Sequence, residues 1–200
     1  MKTIKLNTMK TIKLLAILFI SSLTLVSCSD DDDHDHHDHD HENEVITTLE
    51  YTLVNAADSN DVVVMTAYDP DGDGGVDATY EVDGPLTANA TYSGSILILN
   101  ENEEEDMTDD HYNVTIEIKE EADEHEFFYI VNDVDITVKI EDVDSKGYPL
   151  GIDTTVTTGE SGEGTLTIIL KHEPTKPNDG NSDNAGGSTD IEGTFTVTVE

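Results

Sequence analysis

Arginine is absent from this 200-residue chain, cysteine occurs once, and nine lysines stand against 45 acidic residues. Each shortage excludes something. With no arginine and a formal charge of −36, the chain has nothing to neutralise a run of phosphates, so nucleic acid is excluded as a partner. Adsorption to anionic lipid through charge is excluded for the same reason. The single cysteine, Cys28, leaves no internal disulfide, no thiolate metal cluster and no cysteine nucleophile. Enzyme signatures are missing as well. Gly159-Glu160-Ser161-Gly162-Glu163 lacks the second flanking glycine of a nucleophile elbow, and neither a Gly-rich phosphate loop nor an HExxH motif occurs. Carboxylates are so abundant that no pair stands out as acid and base. The expectation is a binding protein without catalysis.

Long hydrophobic runs are equally scarce. The one that exists, residues 14–26, follows Lys10 and Lys13. It is too short to span a bilayer and suits the core of a signal peptide. It ends in Leu25-Val26-Ser27-Cys28, the pattern of a bacterial lipobox. Residues 1–27 are therefore predicted to be removed, and Cys28 to carry lipid through a thioether as the new N-terminus. Residues 1–6 recur as 9–14, so Met9 offers a second start. Cleavage would remove Lys2, Lys5, Lys10 and Lys13 from a chain of charge −36, leaving the mature protein near −40. Several acyl chains on Cys28 would hold it durably on a membrane.

Residues 29–44 read SDDDDHDHHDHDHENE. They contain no hydrophobic side chain, so a disordered tether is predicted. Ser-Asp-Asp-Asp directly after the cysteine resembles the acidic export signal that sends lipoproteins of the Bacteroidota to the outer face of the outer membrane. A lipid-anchored protein facing the exterior is the resulting expectation. The tail also interleaves His34, His36, His37, His39 and His41 with Asp35, Asp38 and Asp40. Imidazole suits Zn, Cu and Ni, and carboxylates draw cations close. A flexible strand with these donors would take up such ions loosely and in several registers, ready to be handed to an outer-membrane receptor.

From Val45 onward the pattern changes to period two. Val45, Thr47, Leu49, Tyr51 and Leu53 share one face, as do Val134, Ile136, Val138 and Ile140. Leu166, Ile168 and Leu170 alternate with threonine, and so do Phe195, Val197 and Val199. Further apolar runs lie at 62–68, 96–99 and 127–131. These are half-buried strands separated by turn signals such as Asp71-Gly72, Asp83-Gly84-Pro85 and Asn178-Asp179-Gly180. About eight strands with short connections predict one domain over 45–200, an antiparallel β-sandwich of Ig-like or jelly-roll type. At most one short helix is expected, near 115–124, where Ile118, Ala122 and His125 form a helical stripe.

Several segments of this domain resemble a family of Bacteroidota lipoproteins often labelled "type 1 periplasmic binding fold superfamily protein". They are Val45-Ile46-Thr47-Thr48-Leu49, Asp71-Gly72-Asp73-Gly74, residues 121–128, Lys171-His172-Glu173-Pro174, and Ala185-Gly186-Gly187 with residues 189–192. The label implies an α/β sugar-binding fold of strands alternating with long helices. The residues themselves predict threonine-rich strands instead, and the resemblance carries no activity with it.

Two places in the domain predict cation chemistry. Asp69, Asp71, Asp73 and Asp77 around Gly72 and Gly74 are similar to the first half of a calcium loop. Position twelve is Tyr80 in place of a bidentate glutamate, and strands flank the loop, so an EF-hand is excluded. A partial calcium site or a plain Asp-Gly turn remain as readings. His125 opens one strand while His172 and Glu173 close another. If those ends meet, the three form a metal site, with Asp190 or Glu192 as further donors. A hydrogen-bonded structural histidine is the competing reading. The function expected is thus cation concentration at the cell surface, chiefly of Zn, Cu or Ni. The alternative is a calcium-stabilised structural or adhesion module whose acidic tail serves only export.

Overall fold

A computed structural model describes residues 45–72 and 75–200. The predicted signal peptide, Cys28, the histidine-bearing tail and Asp73 lie outside the described residues. In chain order the strands are β1 (Thr48–Asn55), β2 (Val62–Tyr68), β3 (Thr79–Val82), β4 (Thr91–Leu99), β5 (His125–Asn132), β6 (Ile136–Ile140), β7 (Asp153–Thr158), β8 (Gly162–His172) and β9 (Ser188–Val199). Six form one sheet in the order β3-β2-β1-β4-β7-β6, and three form another in the order β5-β8-β9. Neighbouring strands are antiparallel throughout.

Alternation explains why the sheets meet. In β1 the side chains of Leu49, Tyr51 and Leu53 are fully buried while Glu50, Thr52 and Val54 are half-exposed, so one face leaves water and the other stays wet. The opposing sheet offers Phe127, Leu166, Ile168, Leu170, Phe195 and Val197, all buried in the same cluster. Aromatic pairs stitch the two layers. The Tyr51 and Tyr129 rings lie 5.6 Å apart, and Tyr80 meets Phe195 edge-on at 6.0 Å. Each fully buried phenylalanine contributes about 3 kcal/mol from apolar burial. The fold is a mainly-β sandwich, as the period-two pattern predicts, and not the α/β architecture implied by the family label.

The buried tyrosine hydroxyl needs a partner, and Tyr51 Oη lies 2.7 Å from Thr154 Oγ1. Position 94 must be glycine for that contact, since a Cβ there would press on both oxygens. Burial raises the Tyr51 pKa, so the group stays neutral and able to donate.

Two short helices occur among the described residues, one more than the sequence predicts. Helix α1 (Thr115–Glu120) buries Thr115 and Ile118. The hydroxyl of Thr115 accepts from the Ile98 N–H at 2.7 Å, pinning the helix to β4. The second, α2 (Ser182–Ala185), is a single turn capped by Asn181, whose side chain accepts from the Asp183 N–H. It is too short to show helical periodicity in the sequence. Its Ala185 packs with Phe128 and Ile169 on the outer face of the smaller sheet. No helix among the described residues is long and apolar enough to cross a membrane.

Candidate metal centre

The β5–β8 register places His125 directly opposite His172. Their rings stack with centroids 4.8 Å apart and planes 12° from parallel. The β8–β9 register continues the row to Ser188 and then breaks: Lys171 pairs with Thr189 and Leu170 with Ile191, leaving Asp190 as an extra residue. A bulge re-aims a side chain, and here Asp190 joins the two histidines. One ligand atom from each of His125, His172 and Asp190 lies within 4.8 Å of the other two.

Local structure fixes His125 firmly. The turn after α1 brings the Glu121 carbonyl to 3.1 Å from His125 Nδ1. A carbonyl only accepts, so Nδ1 carries the proton and the lone pair sits on Nε2, the tautomer a metal ligand needs. His125 is 1% exposed, and burial pushes its pKa down, so the ring is neutral at pH 7. Asp190 moves the other way. Burial raises its pKa, opposed by the neighbouring His172 ring and a hydrogen bond with Ser188.

Glu173 does not complete the inner group. Its N–H donates to the Glu124 carbonyl at 2.6 Å, and its carboxylate instead groups with His172 and Glu124. His172 Nε2 lies 3.9 Å from Glu124 Oε2. Glu192 lines a cleft of about 170 Å³ beside Asp190, together with Tyr68, Asp69 and Tyr80, and falls in neither group. Gly187 lies next to this row with φ +67°, and a Cβ on it would drive into the His172 carbonyl. Only a residue without a side chain lets β9 approach so closely.

The aspartate loops behave otherwise. Asp69 Oδ1 accepts from the Asp71 and Gly72 N–H groups, and Asp71 Oδ2 accepts from the Val76 N–H. Asp77 is exposed, and among the described residues no three carboxylates of this loop converge on one point. The hydrogen bonds are those of a turn. Asp144 is likewise structural. It accepts from the Lys146 and Tyr148 N–H groups and pairs with Lys176 at 3.3 Å, both side chains being almost wholly buried.

Sequence reasoning missed a third histidine group, Asp109, Asp110 and His111. The hydrogen bond that the His111 ring donates to Asp109, then the Asp110 charge, raise the His111 pKa, and the ring is 83% exposed. The Asp-Asp-His tripeptide was its only signal, and adjacency on a solvated loop gives it no rigid geometry.

Fold and site together define a β-sandwich domain with a two-histidine, one-carboxylate cluster at one end of its smaller sheet. No family model, no curated protein and no solved structure matches the chain.

Proposed function

We propose that this domain binds a divalent transition metal at His125, His172 and Asp190. In this reading it works as the fixed receiving site of a lipid-anchored surface protein. The His/Asp tail of residues 29–44 gathers ions ahead of it, for transfer to an outer-membrane receptor. The role is binding, without catalysis.

One observation carries the reading: three donors from three strands, two of them imidazoles, lie within 4.8 Å of one another. A tetrahedral zinc with bonds of about 2.0–2.1 Å holds its ligand atoms roughly 3.3 Å apart. The cluster must therefore contract by about 1.5 Å at most, and because an ion lies in the plane of each imidazole that binds it, the His172 ring must turn out of its stack on the fixed His125 ring. Two nitrogens and a carboxylate suit zinc and its neighbours better than calcium, which takes oxygen ligands. The Glu121 carbonyl accepts from His125 Nδ1 and orients the ring, as the outer nitrogen of a metal-bound imidazole is commonly held. The nearby Lys176 does not oppose the ion strongly, because Asp144 neutralises it.

Zinc titration calorimetry tests this on the chain from Ser29 and on the chain from Val45. Both are expected to hold one tight site, with Kd of about 1 µM or lower, and His172→Ala is expected to weaken it at least 100-fold. Binding that disappears with residues 29–44 would contradict the reading and leave the tail as the only site. Stabilisation by calcium alone would favour the structural alternative.

A further inference from the structure

The metal-ligating side chains around His172 form two groups, and His172 belongs to both. The inner group is His125, His172 and Asp190; the outer is Glu124, His172 and Glu173. Resting on the metal-binding reading above, we propose that Glu124 and Glu173 form a capture station for the incoming divalent ion, and that His172 passes it inward to His125 and Asp190.

Exposure sets the direction of travel. Glu124 is 48% exposed, His172 19% and His125 1%, so an ion from solvent meets the carboxylates first and the buried imidazole last. Ligand chemistry runs the same way. Hard carboxylate oxygens hold a partly hydrated ion weakly and exchange it fast, while neutral imidazoles hold a zinc-like ion tightly once it is dehydrated. The backbone keeps the two groups in step. The Glu173 N–H donates to the Glu124 carbonyl, the Glu124 N–H donates to the Glu121 carbonyl, and that same carbonyl accepts from His125 Nδ1. The outer carboxylates are thus tied to the turn that orients the inner histidine.

The chain's large negative charge could by itself speed cation arrival. Screening separates the two effects, because at 0.15 M salt a charge acts over about 8 Å. Only carboxylates beside the site matter under those conditions. Glu160 and Glu163 supply the control. Glu163 and His172 stand at opposite ends of β8, about 30 Å apart at 3.3 Å per residue, and Glu160 lies beyond Glu163.

The experiment is stopped-flow zinc uptake from a chromophoric chelator at 0.15 M salt, on the chain from Ser29. All variants carry asparagine at tail positions 34, 36, 37, 39 and 41. Glu124→Gln with Glu173→Gln is expected to slow association about 10-fold while changing the final Kd less than about 3-fold. His125→Asn is expected to leave association fast and weaken the final Kd about 100-fold. Glu160→Gln with Glu163→Gln, which removes the same charge elsewhere, is expected to change neither. Association unchanged in the Glu124/Glu173 variant, or slowed equally in the Glu160/Glu163 control, overturns the capture station while leaving the inner site standing. Failure of the parent chain to take up zinc overturns the metal site as well. Circular dichroism spectra matching the parent confirm that the variants are folded.

Discussion

The carboxylates of the 142–148 loop and those around His172 meet opposite fates. In the loop, Asp142 accepts from the Gly151 and Ile152 N–H groups, and Asp144 accepts from two backbone N–H groups and pairs with Lys176. Their lone pairs are spent inside the protein. Around His172, Glu124, Glu173 and Asp190 stand beside imidazoles on the ends of three strands and a turn. The first region uses charge to hold the chain together; the second gathers donors at one point. Acidity alone therefore does not mark a cation site in this protein, and the company each carboxylate keeps decides its role.

The two regions differ most strongly at Asp144. Asp144→Ala orphans two backbone N–H groups and leaves Lys176, whose side chain is 5% exposed, without its counter-ion. Removing one partner of a buried pair costs about 3–5 kcal/mol, to be read from urea unfolding. Zinc affinity should survive in the folded fraction. Loss of zinc binding with little loss of stability would reverse the assignments.

A smaller effect follows from protonation. Burial holds the His125 pKa below its ordinary value, so the unfolded chain takes up a proton first as the pH falls. The stabilisation from a neutral His125 is complete above about pH 6.5 and is lost as the pH drops through the depressed folded value. Glu126 and Asp190 run the other way. Burial raises both, so they weaken folding as the pH rises from about 4 through their folded values. In metal-free protein, the fall in Tm between pH 7 and pH 5 should be larger for the wild type than for His125→Gln. Equal falls would show that His125 carries no such penalty.

The smallest change is expected at Asp69 and Asp71. Asparagine keeps the oxygen that accepts from the backbone, so Asp69→Asn and Asp71→Asn should each shift stability by less than about 0.5 kcal/mol in urea unfolding. Calcium should not raise the Tm of either the variants or the parent. A calcium-dependent rise lost in these variants would restore the loop as a site.

Much of the sandwich was legible because burial on one face forces alternation. Leu49, Tyr51 and Leu53 in β1 and Leu166, Ile168 and Leu170 in β8 announce their inward faces. Strand β3 was not legible, being four residues with three exposed, and β7 hid because five of its six residues are polar. The site was half legible. His125 and His172 were recognisable as strand-end residues, but register alone makes them neighbours, and register follows from pairing that no local pattern records. Asp190 reached the cluster through a bulge, a one-residue irregularity that leaves no compositional trace. Glu173 looked the better ligand only because it adjoins His172 in sequence.

Nitrogen NMR of the imidazole rings during zinc addition, on the chain from Ser29 with its tail histidines intact, reports whether His125 and His172 hold the ion. The ring nitrogens of His125 and His172 are predicted to shift together and saturate at one equivalent, while those of His111 stay in place. If His125 and His172 remain unmoved while the tail imidazoles titrate, the domain holds no metal and its paired histidines are only structural.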